Sequence, residues 1–239
     1  MEIAIRGDKM KESHLLSINK SDGTENKIML NSHTPQVVLA GPDYERIIEL
    51  EKTMLKNLSA SNGENISVFI VDSINAFSDD FIKGLGFPSI EKITEEEAFL
   101  RLKLGMESFA DRYEKLCINE CRNYDDYSQR GNEDMKQIVF LFSDVSQNSN
   151  KTSLLKSLKR CALIFQVGVH FITGISEFNA TTIYENLREH TTRIGYPFPE
   201  EIKNRIIFDE KKPYKNDINN LIVKIGLNGD LMEDYKVSE

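Results

Sequence analysis

Apolar residues along the chain fall into two patterns, short unbroken runs and wider helical stripes. The runs are Val37 to Ala40, Ile66 to Val71, Gln137 to Phe142 and Val167 to Thr173. Each predicts a strand buried on both faces of a parallel sheet, because such a strand has no wet side on which to place polar residues. Between the runs, Ile47, Leu50, Met54 and Leu58 recur at three- and four-residue steps, and Phe99, Leu102, Met106, Phe109, Tyr113 and Leu116 do the same toward Cys121. That period predicts amphipathic helices. Asp43 stands where it can cap the first, and Thr94 with Glu97 forms a capping box for the second. Leu154 to Phe165 and Ala180 to His190 predict two more. Strand and helix alternate repeatedly, so the pattern implies an α/β fold with a mostly parallel central sheet flanked by helices.

The remaining stretches are less regular. Residues 1–32 read as short strands and turns (Ile3 to Ile5, His14 to Ile18, Lys27 to Leu30), with a hairpin turn at Asn19 to Gly23. They form a small N-terminal β element ahead of a main domain over 33–239. Residues 73–93, with Gly84, Gly86 and Pro88, read as a looser segment, and Ser128 to Met135 as a polar linker. Thr192 to Tyr196 suits an edge strand, because Pro197 and Pro199 follow it. Arg205 to Phe208 and Leu221 to Ile225 are candidate strands, and the polar stretch Gly229 to Glu239 reads as a chain end.

Composition narrows the function. In 239 residues, 40% hydrophobic and 28% charged, there is enough apolar material for one large core. The formal net charge of -8 argues against a free-standing nucleic-acid surface, since Lys and Arg supply most non-specific affinity for phosphate backbones. No apolar run approaches the length of a membrane span, and the N-terminus lacks a secretory pattern, so a cytoplasmic location is expected. Cys117, Cys121 and Cys161 are odd in number and suit reduced thiols packed in the core; no nearby His completes a metal site for Cys117 and Cys121.

The strongest candidate chemistry is the passage from Val37 to Ile48, a buried strand, a turn at Ala40-Gly41-Pro42, and a helix. It has the layout of a phosphate-binding loop without that loop's residues. Such a loop reads G-x-x-x-x-G-K-[S/T], because bare backbone N–H groups must surround the phosphates while Lys and a hydroxyl meet the terminal phosphate and Mg²⁺. After Gly41 there is no glycine before Gly63 and no lysine before Lys52. Asp72, Ser143 and Asp144, and Ser176 stand at the carboxyl ends of the other strands, where open α/β sheets place their ligands. For Asp72 a capped turn is the commoner role, and for His170, inside an apolar strand, that of a hydrogen-bonded core residue.

Several stretches, in order, resemble the motor domain of the FtsK/SpoIIIE-type P-loop ATPases. Met106-Glu107 with Arg112-Tyr113 and Leu116 is similar to that family's M-E-x-R-Y-x-x-L helix, with a longer spacing between Glu107 and Arg112. Arg122-Asn123-Tyr124-Asp125-Asp126-Tyr127 resembles its R-N-[I/L]-x-x-Y segment. Ile138 to Asp144 falls at the Walker B strand, Gly168-Val169-His170 at the G-[I/V]-H strand, and Thr192-Arg193-Ile194 at a T-R-I. On this alignment the loop Lys and Ser/Thr become Ile47 and Ile48, the inner glycines Tyr44 and Arg46, the Walker B Asp-Glu pair Ser143-Asp144, and the sensing Gln falls near Ser176.

The resemblance implies a P-loop NTPase fold, and the departures imply that hydrolysis is lost. Gly41, Pro42, Asp43, Ser143, Asp144 and Ser176 would line a remnant nucleotide site with no catalytic residue and no metal ligand. No cofactor is expected, with weak Mg-ATP binding left open. Acidic, degenerate domains of this kind resemble the C-terminal module of the type VII secretion coupling ATPases, EssC and EccC. That likeness implies a cytoplasmic domain of a membrane-anchored motor, with secreted helical-hairpin proteins and neighbouring ATPase modules as partners and no nucleic acid. Its role would be substrate recruitment or regulation. The alternatives are a slow Mg-ATPase using Asp144 and a DNA-translocase accessory domain.

Overall fold

The computed structural model describes residues 12–20, 23–31, 36–132, 134–143, 145, 164–176, 191–199, 207–208, 220–225 and 231–237. Its centre is a ten-stranded sheet in the order β2-β1-β10-β9-β8-β3-β7-β6-β4-β5. The strands are β1 (His14–Lys20), β2 (Glu25–Met29), β3 (Gln36–Ala40), β4 (Ile66–Val71), β5 (Ser89–Ile93), β6 (Gln137–Phe142), β7 (Val169–Ile175), β8 (Thr191–Gly195), β9 (Leu221–Ile225) and β10 (Leu231–Val237). From β8 to β5 every pairing is parallel, and from β8 outward to β2 every pairing is antiparallel. The predicted parallel α/β sheet is therefore present, extended on one side by an antiparallel wing.

Burial on both faces explains the unbroken apolar runs. Val37 and Leu39 point to the face covered by α1 (Tyr44–Asn62), where Leu50, Met54 and Leu58 join them together with Leu15, Leu16 and Ile18 of β1. Val38 and Ala40 point to the opposite face, with Phe140, Phe142 and Phe171 of the sheet and Phe109 and Leu116 of α3 (Glu95–Ile118). Each such buried side chain contributes about 1.5–3 kcal/mol relative to exposure. Two further α-helices are short, α2 (Asp79–Gly84) and α4 (Tyr124–Gln129). No described helix is long and apolar enough to cross a membrane.

The structure revises several expectations. The segment 73–93 contains α2 and the strand β5, which pairs in parallel with β4 at the sheet edge. Only Ile93 of β5 is buried, so it shows no apolar run. The fourth core strand begins two residues late, at Val169, because Gly168 takes φ +76° in the turn before it. β8 is not an edge strand: it lies between β3 and β9, and Pro197 and Pro199 come after the strand has ended. There, β3 and β8 approach so closely that a Cβ on Gly195 would lie 1.7 Å from the Ala40 carbonyl oxygen. Only glycine fits.

Ile207 and Phe208, read as part of a strand, are helical and buried. The chain end contains β10, which pairs with β9 and β1. Cys117 is exposed and Cys121 partly buried, so the expected core packing fails for Cys117. The strand at Ile3 to Ile5, the helices at 154–163 and 180–190, and Cys161 lie outside the described residues.

Candidate functional site

β3 delivers its carboxyl end between β7 and β8. The Gly41 N–H donates to the Ile175 carbonyl at 3.2 Å, and the Tyr196 N–H donates to the Ala40 carbonyl at 2.9 Å. The chain turns at exposed Pro42 and enters α1 at Asp43, whose extended backbone (φ -117°, ψ 109°) is that of an N-cap. Asp43 Oδ1 accepts the Glu45 N–H at 3.0 Å and the Arg46 N–H at 3.5 Å. These are amides that a phosphate would need at a helix N-terminus, and a carboxylate of the protein already takes them.

The surrounding side chains close the loop further. Arg46 Nε lies 3.8 Å from Asp43 Oδ2, and its guanidinium sits 5.0 Å from the centre of the Tyr196 ring. Burial pushes the Tyr196 phenol up, while Arg46 acts against that shift. A Cβ on Gly41 would lie 3.3 Å from Tyr196 Cβ and 3.4 Å from Ile47 Cδ1, so the turn is packed by side chains. Ile47 and Ile48 lie on the buried side of α1, and Tyr44 is half exposed at its start. No lysine amine or hydroxyl occupies the positions where a phosphate loop uses them.

The other candidates divide into two groups. Ser176 follows β7 directly and is buried beside the Gly41 turn, since Ala40 pairs with Ile175. Ser143 lies farther along the sheet, at the end of β6, where its Oγ donates to Asp72 Oδ1 at 3.1 Å and to the Val71 carbonyl at 3.2 Å. It is part of a clamp around Asp72. Asp144 lies outside the described residues. The structure thus brings Gly41, Asp43 and Ser176 to neighbouring strand ends and ties Ser143 to β4.

Asp72 is a fully satisfied buried carboxylate. It accepts the Ala76 N–H at 2.8 Å and the Phe77 N–H at 3.0 Å, and Lys92 Nζ lies 3.1 Å from its Oδ2. Burial alone would raise its pKa, but the Phe77 and Ala76 amides and Lys92 outweigh it and hold the carboxyl below its ordinary value. Lys92 also donates to Asn75 Oδ1 and the Phe77 carbonyl, both at 2.9 Å, which fixes Asn75 at φ 56°. A cavity of about 440 Å³ opens beside this clamp, between Val71, Ser73, Ile93 and Glu95. The capped turn is as expected for Asp72; its partner Lys92 gave no signal in the sequence.

Residues of the FtsK-like motifs form scaffold contacts. Arg112 donates from Nε to the Val167 carbonyl and from Nη2 to the Lys136 carbonyl, each at 2.7 Å, joining α3 to the starts of β6 and β7. Burial lowers its pKa to about 10, so it stays cationic at neutral pH. Its guanidinium lies 5.9 Å from the Tyr124 ring centre, and a Cβ on Gly168 would meet that ring at 2.6 Å. Burial pushes the Tyr124 phenol up to about 12. His170 is buried and its Nε2 lies 3.1 Å from Gln137 Nε2, which makes it the acceptor of the Gln137 amide. The motifs therefore hold α3, α4 and two strand starts in register.

The chain shares its fold with solved domains of conjugation coupling and type VII secretion ATPases. Among solved structures, the chain is similar to the pCW3 conjugation coupling protein TcpA in its monomer form with ATPgS (TM-score 0.70, 17% identity, 95% of this chain and 68% of that one). It is similar to the cytoplasmic domain of the Thermomonospora curvata type VII secretion ATPase EccC (TM-score 0.69, 17% identity, 93% of this chain and 28% of that one). It is also similar to ATPases 2 and 3 of that EccC in complex with a signal sequence peptide (TM-score 0.60, 11% identity, 99% of this chain and 44% of that one). The chain spans less than half the length of either EccC structure. No protein-family model and no curated protein sequence matches it.

Proposed function

We propose that this chain is a non-hydrolysing FtsK-like domain of a type VII secretion motor, acting in substrate recruitment or in regulation of neighbouring ATPase modules. The observation that carries the reading is the Asp43 carboxylate on the amides of Glu45 and Arg46, at the place where an active relative would hold phosphate. Ile47 and Ile48 add to it, because buried aliphatic side chains supply neither the charge nor the Mg²⁺ ligand that phosphoryl transfer requires. The likeness to EccC bound to a signal sequence peptide supports secreted proteins as partners, and the likeness to two-ATPase assemblies supports neighbouring modules. The expected location is the cytoplasmic face of a membrane, through a longer parent protein.

The test is titration of the C-terminal signal peptides of proteins secreted by the same system into the purified chain. Saturable binding by one of them, unchanged by Mg-ATP, is expected. Absence of binding at millimolar concentration by every such peptide would remove the recruitment reading.

A further inference from the structure

At the amino end of the parallel strands, opposite the Gly41 turn, a relay of side chains runs from β7 to the N-terminal hairpin. His170, Gln137, Ser13 and Asn62 are all buried. Gln137 Nε2 lies 3.1 Å from His170 Nε2 and 3.2 Å from the Leu30 carbonyl oxygen, and Gln137 Oε1 accepts the Ser13 hydroxyl at 2.6 Å. Ser13 Oγ in turn accepts Asn62 Nδ2 at 3.0 Å. Ser13 immediately precedes β1 and Leu30 immediately follows β2, and the Leu30 N–H donates to the Ser13 carbonyl at 2.8 Å. One amide side chain therefore holds both ends of the hairpin base and touches one imidazole.

The orientation of that amide is fixed. A carbonyl oxygen only accepts, so the NH₂ group of Gln137 faces Leu30, and the same group then faces His170 Nε2. His170 Nε2 is the acceptor, which makes the buried imidazole neutral, with its proton on Nδ1. A proton on Nε2 would set donor against donor. Turning the amide to offer Oε1 to the imidazolium would set that oxygen against the Leu30 carbonyl and leave the Ser13 hydroxyl facing an NH₂ group in place of its acceptor. Neither orientation serves a charged His170 and a closed hairpin base together.

On the same face of the sheet stand Val37, Leu39, Val139 and Leu141, and the buried side of α1 above them carries one charged residue, Glu51. The hairpin contributes His14 at the start of β1. A cavity of about 510 Å³ outside Ser13 and Gln137 is walled by Glu12, Arg122, Asp125, Asp126 and Arg130. Among these groups only histidine is of a type that ordinarily changes charge near neutral pH, so His14 is the control for His170.

We propose that His170 and Gln137 form a proton-sensitive latch on the base of the β1–β2 hairpin, closed while the imidazole is neutral and released when Nε2 takes up a proton from solvent. The hydrogen bonds of the base, and with them the floor of the cavity, then open while the central strands stay paired. The closed state binds one proton fewer than the open one. Its stability is therefore complete above the ordinary histidine value of about 6.5 and is lost as pH falls below it. The device is independent of the secretion reading.

The experiment is amide hydrogen exchange of the full chain by NMR between pH 7 and pH 5, corrected for the intrinsic pH dependence of exchange, with the ring nitrogens of His170 followed in the same samples. The amides of Leu30 and of His14, which donates to Ser61 Oγ at 3.0 Å, report the base. Both should lose protection by up to about tenfold per pH unit below about pH 6.5, while the Val38 and Leu39 amides of β3 keep theirs. His170→Gln keeps an acceptor near the Nε2 position without titrating and should remove that dependence, whereas His14→Gln should retain it. Should His170→Gln not fold, the wild-type ring signals decide, since the imidazole should be neutral with Nδ1 protonated wherever the base amides are protected. A charged His170 beneath a protected base, a pH dependence that persists in folded His170→Gln or vanishes in His14→Gln, or an equal loss of protection at Val38 and Leu39 would overturn the proposal.

Discussion

The Asp43 carboxylate accepts the Glu45 backbone N–H at 3.0 Å, so the N-terminus of α1 is satisfied from within the chain. A carboxylate there also complements the positive end of the helix dipole. Removing it should cost about 1 kcal/mol, the usual loss for a helix cap. Asp43→Ala should therefore lower the melting temperature. Inorganic phosphate should recover part of that loss in the variant, by occupying the vacated amides, and leave the wild type unchanged. Equal stabilisation of both proteins by phosphate would show that the amides were open from the start.

Restoring the missing residue types should not restore the loop. Ile47 is fully buried against the Gly41 turn, so Ile47→Lys places an ammonium group in an apolar core. We expect the Ile47→Lys, Ile48→Ser double variant to lose at least about 3 kcal/mol in urea denaturation and to release no phosphate from ATP. Side chains at Tyr44 and Arg46 would still fill the positions where a working loop has glycine.

Arg112 ties α3 to two strand starts through the carbonyls of Val167 and Lys136. Arg112→Ala leaves both without that donor and should destabilise the fold by about 3 kcal/mol. Arg112→Lys should recover less than half of the loss, since a single ammonium group cannot span both carbonyls as the planar fork does. Chemical denaturation of the three proteins measures this directly.

The Asp72 clamp makes stability depend on acid. Its folded pKa lies below the unfolded value of about 3.9. Its contribution is therefore fully present above about pH 4 and is lost as pH falls through the folded pKa. Denaturation measured from pH 7 down to pH 2 should show this loss, and Asp72→Asn should flatten that part of the profile while lowering stability at pH 7 by about 3 kcal/mol.

The elements with a single dominant period were legible in the sequence. β3, β4 and β6 are buried on both faces, and α1 and α3 bury one stripe each, so their apolar spacing reports their surroundings directly. β5 was hidden because an edge strand with Glu91 and Lys92 carries little apolar signal. β10 was hidden for a similar reason, since Glu233, Asp234 and Lys236 interrupt it. At the site, the Asp43 cap could be read because capping is local. The Arg46–Tyr196 stack and the Asp72–Lys92 pair could not, because each joins segments that only the sheet topology brings together.

Phosphate release from Mg-ATP by the purified chain tests the central claim most directly. The loop geometry predicts no release above the protein-free rate, with or without a bound signal peptide. Sustained turnover that Asp144→Ala abolishes would contradict it and make this chain a working ATPase.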